Sequence, residues 1–154
     1  LYCKYFRGDE FLNIIHDLLS DGYRVKATML GKGELEERCK NYILENDLTG
    51  VVQMKGFVEN PYDYLNEGTI LVMTSEWEGF GLVAVEALAF GVPVVANPVG
   101  GIPMIVNGKC GCLTDNHCEK VNEIEKLISN DEYYIYKSMN AKNELRNFKI
   151  LTHI

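Results

Sequence analysis

Two hydrophobic periodicities alternate along the chain. Apolar residues that recur three and four positions apart predict amphipathic helices. The segments with this spacing are 9–20, 34–46, 81–90, 117–129 and 131–147, with shorter helical turns at 61–65 and 102–106. Short runs rich in Val, Ile and Met predict strands. These runs are 24–30, 51–54, 69–74 and 93–96, and the last two are apolar without alternation, as in strands buried on both faces.

The alternation of strands and helices predicts an α/β fold: a Rossmann-like parallel sheet sandwiched between helices. Right-handed crossovers bring the carboxyl ends of all strands to one edge, and ligands bind at that edge. The loops that follow the predicted strands should therefore carry the chemistry. These loops are 31–33, 56–60, 75–81 and 97–101.

Composition narrows the classes of function. The 154 residues carry a formal net charge of −7 and suffice for a single domain, 1–154, with a core of its own. This acidic balance argues against nucleic acid as a partner, because phosphate backbones are bound by clustered Lys and Arg. No apolar run is long enough to predict a transmembrane segment. Because the chain begins at Leu1 without a signal segment, we expect a fragment that lacks an upstream part.

The cysteines raise the question of a metal site. Five cysteines are too few for a disulfide scaffold, and reduced thiols fit a cytoplasmic protein better. Cys110, Cys112, His117 and Cys118 are close in sequence, as zinc ligands often are. Structural zinc prefers two well-separated pairs, however, and two of these residues are adjacent. We interpret them as small residues packed beside glycines and predict no metal.

The clearest chemical signal lies at the start of the helix predicted over 81–90. Gly79 and Gly81 flank this start, where glycine lets the backbone approach a ligand closely. The first N–H groups of a helix lack partners within the helix and carry the positive end of its dipole. The segment therefore predicts a phosphate site.

Glu86 is the one charged residue of this otherwise apolar helix, so we expect its side chain to be buried. A buried carboxylate needs hydrogen-bond partners, and its two oxygens match the two hydroxyl donors of a ribose. Glu86 follows Leu82 by about one turn, which would place the ribose one turn from the phosphate. The alternative is a polar helix position that reaches solvent.

Two further residues precede the same helix. Glu78 could accept hydrogen bonds from sugar hydroxyls, or it could interact only with the helix N-terminus. Trp77 is interpreted either as an exposed loop aromatic or as a wall of the binding cleft.

The segment resembles a motif of the retaining glycosyltransferases of family 4, which have the GT-B fold of two Rossmann-like domains facing a cleft. Glu78 and Glu86, with seven residues between them, lie within Glu-Gly-Phe-Gly-Leu and before Glu-Ala-x-Ala-x-Gly-x-Pro-Val-Val-Ala. The resemblance extends from about residue 7 to residue 141. Its other parts are Gly100-Gly101-Ile102-Pro103, Asn107-Gly108 with Gly111, Leu30-Gly31-x-Gly33 and Gly56-Phe57-Val58.

The resemblance implies that the chain is the C-terminal, donor-binding half of a GT-B fold. In this family Glu86 would hold the nucleotide ribose, and Glu78 would contact the transferred sugar as a catalytic residue. The amides near Gly81, Leu82 and Val83 would meet the β-phosphate and sugar, and the backbone around Phe57 and Val58 would receive the base. The further substrate-binding residues that it implies are Gly31, Gly79 and Phe80.

The chain departs from the family pattern at the basic residues that bind the donor diphosphate. Members carry a Gly-Arg pair on the first strand and a Lys-Gly a few residues later, and here Arg7-Gly8 aligns with the Lys-Gly. Arg7 is the candidate catalytic cation, because a guanidinium binds phosphate with two hydrogen bonds. Lys4 is the alternative cation, and a surface charge is the alternative role of Arg7. Met104 stands where the family often has Glu.

By this resemblance, the complete protein transfers a hexosyl unit from a UDP- or GDP-linked sugar to a hydroxyl of a glycan, polysaccharide or lipid, with retention of anomeric configuration. The nucleotide sugar is a substrate, and neither a cofactor nor a metal is expected. The acceptor would bind an N-terminal domain that this chain lacks. The expected location is cytoplasmic, with peripheral attachment to the inner membrane face through that domain.

Two other classes of function stay open. One is a different GT-B enzyme, namely a sugar-nucleotide epimerase or a phosphorylase. The other is a non-catalytic module that binds nucleotide sugars. Hydrolysis by two carboxylates fits less well, because we expect Glu86 to be buried on a helix. A nicotinamide site at Gly31 and Gly33 also fits poorly, because the third glycine of that fingerprint is absent.

Overall fold

A computed structural model describes residues 2–4, 8–66 and 68–147. Strands and helices alternate through these residues. The strands are β1 (Tyr2–Lys4), β2 (Ala27–Leu30), β3 (Val52–Gly56), β4 (Leu71–Met73), β5 (Val94–Ala96) and β6 (Gly111–Leu113). The helices are α1 (Gly8–Ser20), α2 (Glu36–Glu45), α3 (Leu82–Ala89), α4 (Ile102–Ile105), α5 (His117–Ser129) and α6 (Asp131–Asn147), with a 3-10 helix at Pro61–Tyr64.

The six strands form one parallel sheet in the order β3-β2-β1-β4-β5-β6. This arrangement confirms the predicted α/β class. The strand order reverses direction between β1 and β4, and in such sheets the crevice at the reversal is the usual ligand site. The loop after β4 therefore borders that crevice.

Alternate residues of the central strands face opposite sides of the sheet. Val72 and Val95 belong to a core formed with α1, α2 and α5, whereas Leu71 and Val94 belong to a second core formed with α3 and α4. Side chains on both faces are fully buried. This double burial explains why the two strands are apolar without alternation.

The hydrophobic pattern misses two of the strands. β1 and β6 have three residues each, as β4 and β5 do, but they lack the uniformly apolar run that identifies those two strands. β6 also contains Gly111, which has low strand propensity. A further difference is at β2, predicted over 24–30, because pairing with β3 begins only at Ala27 opposite Val52. Among the described helices, none has the length and apolar character needed to cross a bilayer.

Candidate functional site

Two loops meet at the carboxyl edge of the sheet, beside the reversal of strand order. The first, residues 75–81, connects β4 to α3, and the second, residues 97–101, connects β5 to α4. We refer to them as the loop pair. Asn97 is buried, and its side-chain Nδ2 donates a hydrogen bond to the Ser75 carbonyl at 3.0 Å. The Gly101 N–H donates to the Gly79 carbonyl at 2.8 Å.

Gly100 makes this contact possible. Its φ of +56° lies in the left-handed region, and a Cβ atom built on it would overlap the carbonyl oxygen of Glu78. A Cβ on Gly101 would lie 2.7 Å from the Phe80 carbonyl oxygen. The two glycines are therefore required by a close approach of backbone to backbone.

The contacts set the direction of the amide groups in the first loop. In a planar trans peptide the N–H points opposite to the C=O. The carbonyls of Glu78 and Gly79 face the 97–101 loop, so the N–H groups of Gly79 and Phe80 point away from it. The chain then enters α3 through Gly81, whose φ is +81°. The first N–H with a helical partner is that of Ala84, so the two before it are available at the helix start.

Glu78 lies directly over the start of α3. Its Cγ is 3.9 Å from the position that a Cβ on Gly81 would occupy. The side chain is partly exposed, and within residues 8–66 and 68–147 it makes no hydrogen bond or ion pair. The carboxylate is therefore free to accept hydrogen bonds from a ligand at the helix start.

The structure corrects the expected burial of Glu86. The sequence predicts a buried carboxylate, but the side chain is partly exposed. The reason is its position on the helix: Ala84, Ala87 and Leu88 face the core, whereas Glu86 lies four residues from Leu82 and from Phe90, both exposed. It too lacks a polar partner among the described residues. The Glu86 carboxylate is thus accessible to a ligand one turn from the helix start. Water alone can also supply its hydrogen bonds.

A cavity of about 580 Å³ opens beside β2 at the same edge. We call it the β2 cavity. Its lining residues come from the start of α1, the end of β2, the loop before α2, α2 itself and β3: Gly8, Met29–Glu36, Cys39 and Met54. The lining is mostly apolar, so the cavity suits a flat, weakly polar group better than a phosphate.

The residues predicted for the base lie at the rim of this region. The Gly31 N–H donates to the Gly56 carbonyl at 2.6 Å, which joins the ends of β2 and β3. Phe57 follows and is 77% exposed, while Val58 is partly buried against the core. The structure therefore brings Gly31, Phe57 and Val58 to one edge, but the cavity is lined by Gly31 alone of the three.

Of the other predicted residues, the structure describes the side chain of Trp77 but not those of the two candidate cations. Arg7 lies outside the described residues, and Lys4 is described only as the end of β1. Trp77 is 80% exposed. In the part of the chain that the structure describes, no three His, Cys, Asp or Glu side chains are grouped as a metal site requires.

The β2 cavity is lined in part by the Cys39 thiol. Burial raises the pKa of this thiol, and the nearby Asp9 raises it further.

Sequence reasoning missed the role of Asn97. The loop that contains it was predicted to be informative, but no function was predicted for its amide. The available signal was a polar residue directly after a fully buried strand, where a side chain can reach the neighbouring loop. Asn97 also has a buried Oδ1 without a partner in the described chain, so its orientation is set by the bond to Ser75.

Comparison with known proteins identifies the family. The model of the family "Glycosyl transferases group 1" matches residues 7–144. The chain belongs to this family. The match covers both loops of the loop pair, the β2 cavity and most of the last helix, so the whole described site lies within the family domain.

Of three proteins similar to this group 1 domain, two are much longer than the chain. The capsular polysaccharide biosynthesis glycosyltransferase CapM of Staphylococcus aureus is 30% identical over 143 residues, which cover 90% of this chain and 37% of CapM. HepE of Anabaena, solved in complex with UDP, is 25% identical with a TM-score of 0.78, covering 95% of this chain and 43% of that chain. The chain therefore spans less than half the length of these relatives.

The third relative is the C-terminal domain of a group 1 family protein, LpcC, from Francisella tularensis. It is 22% identical with a TM-score of 0.81, and the match covers 97% of this chain and 86% of that chain. This likeness concerns the fold. The chain thus has the parallel α/β fold of the C-terminal domains of GT-B glycosyltransferases.

Proposed function

We propose that this chain is the donor-binding domain of a retaining glycosyltransferase of family 4, which binds a UDP- or GDP-linked hexose. The observation that carries the proposal is the pair of accessible, unpartnered carboxylates, Glu78 and Glu86, on either side of the start of α3. Amides at this start favour an anion, while carboxylates favour hydroxyl donors. A nucleoside diphosphate sugar has both an anionic diphosphate and hydroxyl donors.

In this proposal the diphosphate lies at the amides of Gly79 to Val83, with its negative charge toward the positive end of α3. Glu86, one turn further along, accepts hydrogen bonds from the two ribose hydroxyls. Glu78 accepts from the transferred sugar. The base extends toward Gly31 and the β2 cavity, with Phe57 and Val58 at its rim.

Catalysis would depend on stabilising the leaving diphosphate. As the glycosyl–phosphate bond breaks, positive charge develops at the anomeric carbon and negative charge on the phosphate oxygens. The amides at the start of α3 and a cation from Arg7, or from Lys4, would stabilise the negative charge. The acceptor hydroxyl would attack on the same face, so no protein nucleophile and no metal are needed.

The acceptor would be a glycan, polysaccharide or lipid held by an N-terminal domain across the cleft. HepE was solved with UDP, and CapM acts in capsular polysaccharide biosynthesis, which supports this class of reaction. We propose a cytoplasmic location, with attachment to the inner membrane face through the N-terminal domain.

Calorimetric titration of UDP and GDP into the 154-residue chain tests the proposal. Glu86→Gln should weaken binding of the preferred nucleotide by roughly tenfold or more, because charge-assisted bonds to the ribose are lost. Glu132→Gln, an exposed carboxylate at the start of α6, is the matched control and should leave affinity unchanged. Equal affinity of the wild type and Glu86→Gln would refute the ribose role, and absence of binding to either nucleotide would refute the proposal.

A further inference from the structure

Lys120 in α5 is fully buried, and its ammonium group forms an ion pair with the Glu10 carboxylate in α1. The Glu10 side chain is 12% exposed. A buried ammonium is costly unless it is paired. Among the described residues Glu10 is the polar side chain that Lys120 contacts, so the position of each depends on the other.

Both residues lie in the first turn of a helix that follows a parallel strand. Glu10 is in the first turn of α1, and Lys120 is in the first turn of α5, after β6. These turns are therefore close to the carboxyl edge, and α1 begins beside the reversal of strand order. The ion pair thus joins two helices at the edge where the proposed diphosphate binds.

The first turn of α1 carries two carboxylates, Asp9 and Glu10. Acidic residues there stabilise the helix, but they also reduce the positive potential that an anionic ligand would meet. Each is paired with a cation of a neighbouring helix. Arg38 of α2 lies 3.3 Å from Asp9 in an exposed pair, whereas the fully buried Lys120 pairs with the nearly buried Glu10.

We infer that Lys120 supports donor binding as a positioning residue, because it neutralises the Glu10 carboxylate in the first turn of α1 beside the diphosphate. This inference rests on the proposed function. Without the ammonium, the Glu10 carboxylate would be an unpaired negative charge near a ligand that carries two phosphates. Repulsion between them is strong because the surroundings are partly dry.

A second buried lysine provides a matched control. Lys137 in α6 lies 3.1 Å from Glu123, and its Nζ also donates to the carbonyls of Gly108 at 2.8 Å and Gly111 at 3.0 Å. These partners belong to α5, to the turn before β6 and to the first residue of β6. Loss of this ammonium should therefore destabilise the fold as loss of Lys120 does, without placing a free charge at the start of α1.

The test compares four variants of the 154-residue chain by UDP titration, with GDP in a second series, and by thermal unfolding. Lys120→Met should raise the Kd for the bound nucleotide about tenfold, because the charge of Glu10 is unbalanced. Glu10→Gln removes the negative charge and should not weaken binding, although it also breaks the pair. The double variant Glu10→Gln/Lys120→Met should bind within about threefold of the wild type. Lys137→Met should lower the unfolding temperature but leave the Kd unchanged.

Lys120→Met should weaken binding whereas Glu10→Gln should not, and this difference distinguishes a charge effect from general loss of stability. Equal weakening by both, or by Lys137→Met, would overturn the inference, because each result would indicate a structural role only. An unchanged Kd in folded Lys120→Met would also overturn it. If the wild type binds neither UDP nor GDP, the proposed function fails instead, independently of these comparisons.

Discussion

The loop pair and the β2 cavity lie at the same edge of the sheet but are built in opposite ways. In the loop pair, backbone contacts are so close that a methyl group on Gly100 would overlap a carbonyl oxygen. The β2 cavity has a volume of about 580 Å³ and is lined in part by the flexible side chains of Met29 and Met54. The comparison teaches that the backbone is tightly constrained where we place the phosphates, and that space is left where we place the base.

The largest change in the free energy of unfolding should come from a substitution at the close backbone contact of the loop pair. Gly100→Ala adds a Cβ that overlaps the Glu78 carbonyl, at a left-handed φ that alanine disfavours. We expect a loss of about 3 kcal/mol or more in the free energy of unfolding, measured with urea. Gly108→Ala is the control, since nothing lies within 4 Å of its Cβ position. Equal stability of the two variants would contradict the close contact.

A smaller effect is expected where α1 meets the β2 cavity. A Cβ on Gly8 would overlap the sulfur of Cys39. Gly8→Ala should therefore lower the free energy of unfolding by about 1–3 kcal/mol. Cys39→Ala removes the sulfur, so the double variant should lose less stability than the sum of the two single losses. Strict additivity would show that the two positions do not contact each other.

Asn97→Ala tests whether the loop pair depends on a side chain as well as on glycine. Loss of the bond to the Ser75 carbonyl should lower the free energy of unfolding by about 1 kcal/mol and weaken UDP binding severalfold. Asn46 provides a control with the same chemistry, because its Nδ2 donates to the Tyr42 carbonyl at 2.9 Å, away from the edge. Asn46→Ala should leave UDP affinity unchanged. A similar loss of affinity in both variants would indicate a general effect of stability.

The smallest effect is a change in thiol reactivity inside the β2 cavity. Burial raises the pKa of the Cys39 thiol, so alkylation by iodoacetamide at pH 8 should be slow there and fast at the exposed Cys118. If the base enters the cavity, UDP should slow the alkylation of Cys39 further and leave Cys118 unaffected. Peptide mass spectrometry measures both rates. Equal protection of both thiols would place the base elsewhere.

The sequence predicted four of the six described strands and missed two. β4 and β5 are uniformly apolar, and that signal follows directly from burial on both faces. β1 and β6 were missed although they have the same length, because Tyr-Cys-Lys and Gly-Cys-Leu are not uniformly apolar. Their place in the sheet is determined by neighbouring strands, which is information outside the local segment.

The candidate site was also predicted only in part, because the sequence shows local patterns but not contacts between distant segments. The glycines around α3 and the two carboxylates stand close together in sequence, so their pattern was visible. The exposure of Glu86 was not, because it depends on which flank of α3 faces the core. The contact of Gly100 with Glu78 was also hidden, since it joins loops that follow different strands and only the folded sheet brings them together.

The strand order also has a consequence for synthesis of the chain. β1 lies in the interior of the sheet, paired on one side with β2 and on the other with β4, where Tyr2 is opposite Leu71. During translation the second side of β1 has no neighbour until β4 has left the ribosome, nearly seventy residues later. The nascent segment must therefore remain soluble with one interior strand half paired, and chaperone contact should be greatest in that interval.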